Sequence, residues 1–111
     1  MDDERWLQDM RSVYVSKSAD KLSDLIQAVS GLEKSPESTV AYRRLDRLLH
    51  NLIGSGGSYG LPEVSDAARH MLQRLKAAKE RHDMLAPALM SDLRAGLMRL
   101  EEVFSRAALE R

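Results

Sequence analysis

The sequence of 111 residues contains no cysteine. No disulfide can form, and zinc sites built on thiolates are excluded. Long apolar runs are also missing, because no stretch approaches the roughly 18 apolar residues that cross a bilayer. The first residues, MDDERW, are acidic where a signal peptide would be basic. We therefore expect a cytoplasmic protein that does not enter a membrane.

An excess of charge of either sign is absent as well, since Lys+Arg and Asp+Glu number 17 each. Aromatic residues make up only 5% of the chain, and no basic stripe with interleaved aromatics is found. Nucleic acid is therefore not an expected partner. A chain of this length has room for one modest core, so we expect residues 1–111 to form a single domain.

Strand-like alternation is absent, and apolar residues recur at helical spacing over most of the chain. The spacing predicts a long or broken first helix, with a weak point at SKSADK, residues 16–21, and an end near residues 31–34. Ser35 and Pro36 are typical of a helix start and open the next predicted helix.

A further helix is predicted from about Pro62 to Arg81 and a last one from about Ala86 or Pro87 to Ala108, with Gly60 and Pro62 giving a stop and a restart. Short connections make successive helices antiparallel neighbours. The predicted fold is therefore all-α, an up-and-down antiparallel four-helix bundle with an additional N-terminal helical segment.

Residues 43–62, RRLDRLLHNLIGSGGSYGLP, place a histidine beside a run of glycines. On a helical wheel at about 100° per residue, the leucines of this helix fall away from His50 and form a core face. Residues within about 60° of His50 form a second group: Arg43, Arg47, Gly54 and Gly57. We therefore expect the imidazole to face solvent, with arginines on one side and bare backbone on the other.

The glycines allow two interpretations. In the first, the helix ends at Ile53, Gly54 is its C′ residue, and SGGSYGLP, residues 55–62, is a flexible loop. In the second, the helix continues to about Tyr59, Gly60 caps it, and the missing side chains let another protein approach the imidazole. Each interior glycine costs about 1 kcal/mol relative to alanine in a helix, so the residues alone favour the loop.

This segment resembles the motif of the histidine-containing phosphotransfer (HPt) domain family. The motif has a histidine, a leucine two residues later, a glycine four residues later, small residues next, and a Gly-Leu step into the following helix. The matching positions are His50, Leu52, Gly54, Ser55, Gly56, Gly57, Gly60, Leu61 and Val64. Many members carry a lysine three residues after the histidine, where this chain has Ile53. By its spacing, Arg47 is a candidate to supply the missing charge.

The resemblance implies that His50 is phosphorylated on Nε2 and that the chain is a phosphocarrier, not an enzyme with its own nucleotide site. The implied partners are receiver domains of response regulators or a hybrid histidine kinase, and the receiver would supply Mg²⁺. The chain would need no cofactor of its own.

On this interpretation Gly54 and Gly57 admit the receiver's loops, while Arg43 and Arg47 neutralise the phosphoryl group or steer an acidic receiver pocket. Asn51, about 100° round the helix, contacts the partner or only solvent. A self-contained bundle suggests a monomer.

Other functions remain open. Ile53 in place of lysine favours a helical adaptor of degenerate HPt type that is never phosphorylated. A fragment of a histidine kinase would require an ATP-binding domain, which this sequence does not contain. Metal binding is not expected, because His70 and His82 lie outside the predicted helix of His50 and have no cysteine nearby.

Overall fold

The computed structural model describes residues 3–110, which form five helices. Their bounds are α1 Asp3–Ser16, α2 Ser18–Lys34, α3 Thr39–Ser58, α4 Pro62–Glu80 and α5 Pro87–Leu109. No strand occurs within this range. None of these helices combines the length and apolar character needed to cross a bilayer.

Helices α2 to α5 pack as a closed bundle, in which each helix contacts the next and α5 returns to α2. The apolar stripes of the four helices face one another and form the core. Its fully buried side chains include Leu25, Val29, Leu32, Leu45, Leu49, Val64, Met71, Leu75, Leu93 and Leu100. Helix α1 lies against α2 and α5. The predicted all-α bundle with an additional N-terminal helical segment is confirmed.

The breaks between helices follow local sequence signals. The break between α1 and α2 falls at Lys17, inside the predicted weak point. Gly60 has a φ of 72°, a left-handed conformation that glycine adopts without the steric cost of a side chain, and it ends α3. Pro62 is the first residue of α4, where a missing N–H costs no helical hydrogen bond. The predicted stop and restart are confirmed.

The predicted start of α3 at Ser35 and Pro36 is wrong. The N-cap is Ser38, whose Oγ accepts a hydrogen bond at 3.1 Å from the backbone N–H of Ala41. Ser38 has an extended backbone, and its N–H donates to the carbonyl of Ser35 in the turn that joins α2 to α3. Both serines resemble N-caps in sequence, but Ser35 instead closes α2 by donating its N–H to Gly31.

Candidate functional site

His50 lies in the middle of α3 and faces solvent. Its side chain is 54% exposed, whereas Leu45, Leu49 and Leu52 on the opposite side of the helix are buried. The helix is thus anchored by a leucine stripe that leaves the imidazole outside. The predicted exposure of His50 is confirmed.

The residues predicted to share the face of His50 are also exposed: Arg43, Arg47, Gly54 and Gly57. Neither arginine forms an ion pair with any residue in the range 3–110. The structure therefore presents two uncompensated guanidinium groups on the turns before the imidazole and two glycines on the turns after it. We call this set, with His50, the outward face of α3.

The glycines belong to the helix. Helix α3 runs through residues 54–58, which we call the glycine segment, to Ser58, and Tyr59 is its C-cap. The helix does not end at Ile53, so the first interpretation is wrong. The helix extent of the second interpretation, to about Tyr59, is confirmed. Contacts from α1 and α4 supply the stabilisation that local propensity lacks.

The contact with α4 explains Gly56. A Cβ at this position would lie 2.7 Å from Ser65 Oγ, 2.8 Å from Ser65 N and 3.0 Å from Val64 Cβ. Ser65 also donates a hydrogen bond from Oγ to the carbonyl of Ile53 at 2.6 Å. Gly56 is therefore required for the close approach of α3 and α4, and Ser65 joins the two backbones there.

Gly54 and Gly57 have no such role inside the chain. A Cβ at Gly54 would meet no atom within 4 Å, and one at Gly57 would only make an ordinary contact of 3.7 Å with Ser65 Oγ. Glycine at both positions makes the helix less stable than alanine would, and no close packing inside the chain requires it. Their absent side chains leave open backbone beside His50.

Helix α1 holds the glycine segment from the other side. A hydrogen bond of 2.7 Å joins the hydroxyl groups of Tyr14 and Ser55, and the Tyr14 ring stacks on Tyr59 with 4.7 Å between centroids. Arg11 donates from Nε to the carbonyl of Tyr59 at 3.2 Å, which satisfies a carbonyl at the C-terminal end of α3. Burial raises the pKa of Tyr14, the bond to Ser55 opposes that rise, and the Tyr59 charge adds to it.

A carboxylate beside the imidazole was missed by the sequence reasoning. Asp46 Oδ1 lies 3.5 Å from His50 Nε2, and the Asp46 side chain is 31% exposed. This oxygen is itself shielded from solvent and has no hydrogen-bond partner within residues 3–110. The signal was available, because residues four apart on a helix are neighbours.

The two remaining predicted residues lie on either side of the outward face. Asn51 is exposed and lines a groove between α2 and α3, together with Lys21, Asp24 and Ser55. Ile53 is partly buried and packs against the core. The position at which many HPt domains carry lysine is therefore occupied here by a packing residue.

The other histidines are placed differently. His70 is exposed on α4 beside α5, and His82 lies in the turn after α4 with a φ of 54°. Neither has glycines on the following turns of a helix. Within residues 3–110 no group of three or more His, Cys, Asp or Glu side chains is arranged to hold a metal ion.

Comparison with known proteins decides the family. The family model of the Hpt domain matches residues 9–105, nearly the whole chain. The chain belongs to the Hpt domain family. No curated protein and no solved structure gives a significant match. An Hpt domain is a helical phosphotransfer module of two-component signalling that carries phosphoryl groups and interacts with receiver domains and kinases.

The match places the candidate site within an Hpt domain. Helices α2 to α4 lie wholly inside the matched range, as do most of α1 and α5. The hydrogen bonds from Tyr14 to Ser55 and from Ser65 to Ile53 also fall within it.

Proposed function

We propose that this Hpt domain is a histidine phosphocarrier of a phosphorelay. His50 accepts a phosphoryl group from the aspartyl phosphate of a receiver domain, or from a kinase, and passes it to another receiver. The observation that carries the proposal is an exposed histidine in mid-helix, followed on its own face by glycines that the bundle does not need.

The transfer needs little from the carrier. The Nε2 lone pair attacks the phosphorus, a bond between Nε2 and phosphorus forms, and the bond from phosphorus to the aspartate oxygen breaks. Both electrons of the broken bond remain on the aspartate carboxylate, and the ring keeps its proton on Nδ1. Onward transfer is the reverse step. Such a reaction depends on in-line positioning and on stabilising charge, and Mg²⁺ bound to the receiver supplies part of the latter.

The outward face of α3 suits this role. Gly54 and Gly57 admit the loops of a receiver close to the imidazole. Arg43 and Arg47 balance the phosphoryl charge and attract an acidic receiver pocket. Arg47 supplies the positive charge that many family members obtain from a lysine at the position of Ile53. Asn51 contacts the partner at the edge of the α2–α3 groove.

The same proposal includes the oligomeric state, the location and the partners of the chain. The chain acts as one monomeric domain in the cytoplasm, with receiver domains or a hybrid kinase as partners, and it needs no cofactor, metal or nucleotide of its own. Neither nucleic acid nor a membrane is a partner.

A second function is a docking adaptor that is never phosphorylated. The specific observation in its favour is Ile53, which packs against the core where a lysine would stand beside the phosphoryl group. On that function the outward face binds a receiver but His50 stays unmodified.

Phosphoryl transfer separates the two functions. A panel of receiver domains is phosphorylated with a small phosphodonor in the presence of Mg²⁺, and each is mixed with wild type, His50→Gln or His70→Gln. Transfer is read as an acid-labile mass increase on the carrier. His70→Gln is the matched control, since it removes another exposed histidine.

We expect label on wild type and on His70→Gln, and none on His50→Gln. Label that persists on His50→Gln would contradict the assignment of His50. Binding of a receiver without label on wild type, for every receiver in the panel, would favour the adaptor.

A further inference from the structure

Asp46 lies one helical turn before His50, and its Oδ1 is 3.5 Å from His50 Nε2. That oxygen is shielded from solvent and accepts no hydrogen bond within the described chain. Among residues 3–110, no lysine or arginine side chain lies within ion-pair distance of Asp46. Neighbouring Arg47 does not neutralise it.

The charge of Asp46 acts on both sides along the helix. On the preceding turn, burial raises the pKa of Tyr42, the charge of Asp46 adds to that rise, and Glu80 adds a smaller effect. On the following turn the Asp46 carboxylate faces Nε2 directly. A proton on Nε2 is attracted by this carboxylate, whereas a phosphoryl group bonded to Nε2 brings close to two negative charges against it.

We propose that Asp46 is a positioning residue that destabilises phosphorylated His50 and so favours onward transfer of the phosphoryl group. The inference rests on the proposed function, with Nε2 as the phosphorylated atom. Asp46 forms and breaks no bond in the transfer between His50 and the receiver's aspartate. The carboxylate acts through its charge, and it shifts the equilibrium between the carrier and the receiver's aspartate.

This gives the site two opposed charges on consecutive residues. Arg47 stabilises the phosphoryl group on the outward face, and Asp46 repels it from the α4 side, on which Tyr42 also lies with Lys79 over its ring. The relative strength of the attraction by Arg47 and the repulsion by Asp46 determines how readily the carrier gives up its phosphoryl group.

The test measures the equilibrium ratio of phosphorylated His50 to phosphorylated receiver, at fixed concentrations and with one receiver that labels wild type. The variants are Asp46→Asn, which keeps the shape and removes the charge, and Asp46→Glu, which keeps the charge. Glu101→Gln is the matched control, because it removes one negative charge from α5, which lies diagonally across the bundle from α3. Thermal unfolding of each variant is measured alongside.

We expect Asp46→Asn to raise the ratio about tenfold, which allows for solvent screening of a half-exposed pair. Asp46→Glu and Glu101→Gln should stay near wild type. An unchanged ratio in Asp46→Asn would overturn the inference, and so would an equal rise in Glu101→Gln.

The phosphorylated nitrogen is a second readout. Phosphorus NMR on labelled wild type distinguishes Nε2 from Nδ1, and label on Nδ1 would overturn the inference, because the carboxylate faces Nε2. Absence of label on wild type from every receiver would instead count against the proposed function. The two failures are therefore distinguishable.

Discussion

Gly54 and Gly56 lie about half a turn apart on α3, and their surroundings differ completely. Gly56 is buried against Ser65 and Val64, at distances that exclude any side chain. Gly54 faces open solvent, with no atom within 4 Å of the position that a Cβ would occupy. One glycine is fixed by the packing of this chain, and the other has no explanation inside it.

Glycines in a helix have different meanings according to what surrounds them. A glycine that the fold needs is a packing device, whereas a glycine that costs stability and contacts nothing points to a partner. Gly54 and Gly57 fall in the second group, and both lie on the face of His50. Substitutions at the two kinds of glycine should therefore have separate effects on stability and on transfer.

The largest effect is expected for Gly56→Ala. The new Cβ would overlap Ser65 N and Oγ, and because backbone atoms cannot move aside cheaply, α3 and α4 must separate. We expect a loss of about 2 kcal/mol or more in the free energy of unfolding, as for overpacking in a core. Urea unfolding measures it, with Gly57→Ala as the neighbouring control. Equal stability of the two variants would show that the close approach of α3 and α4 is not what requires Gly56.

A smaller, opposite effect on stability is expected for Gly54→Leu. Space is open at this position, and leucine is the better helix former, so the free energy of unfolding should stay equal or rise by up to about 1 kcal/mol. Phosphoryl transfer should nevertheless slow about tenfold, because the side chain blocks the approach of a receiver. Both quantities are measured on the same preparation.

The matched control for Gly54→Leu is Gly31→Leu. Gly31 is also a helical glycine with no atom within 4 Å of its Cβ position, but it lies near the end of α2. This variant should resemble Gly54→Leu in stability and transfer phosphate as wild type does. Normal transfer by Gly54→Leu would remove the argument for close approach.

A loss of stability smaller than that of Gly56→Ala is expected for Tyr14→Phe, which tests how α1 supports the glycine segment. Loss of the hydrogen bond to Ser55 should cost about 1 kcal/mol near neutral pH. Because the pKa of Tyr14 is raised above its ordinary value of 10.0, the stability linked to this group is fully present below pH 10. It is lost as the pH rises through the raised pKa.

The pH dependence gives this variant its own check. Wild type should lose stability above pH 10, and Tyr14→Phe should lose less of it. Tyr42→Phe is the comparison, since the pKa of Tyr42 is also raised, first by burial. Parallel stability curves for wild type and Tyr14→Phe between pH 9 and 12 would exclude the expected role of Tyr14.

Much of the fold could be predicted from local patterns. The leucine stripes placed the core faces, and Gly60 with Pro62 placed the break between α3 and α4 within a residue. The start of α3 was misplaced, because Ser35 and Ser38 are equally good N-cap residues and the length of the turn decides between them. The N-cap therefore depends on how α2 and α3 pack against each other, and a local sequence pattern contains no information about that packing.

The site was predictable only in part. The wheel correctly placed the exposed face of His50, yet residue propensity favoured a loop after Ile53. The contacts that keep residues 54–58 helical come from Tyr14 and Ser65, which are 41 and 12 residues away from their partners Ser55 and Ile53. Helix propensity describes single residues, so it cannot account for contacts between residues that are distant in sequence. Asp46, by contrast, lies four residues from His50 and could have been recognised from spacing alone.

The continuation of α3 beyond His50 has a consequence for the side chain itself. Since the helix is unbroken on both sides, the backbone torsions of His50 are fixed, and only χ1 and χ2 remain free. A helical backbone disfavours one of the three χ1 wells, so the ring samples few orientations before a partner arrives. The conformational entropy lost on fixing the ring is correspondingly small. On the proposed function, the imidazole is therefore nearly in its reactive orientation before a receiver docks.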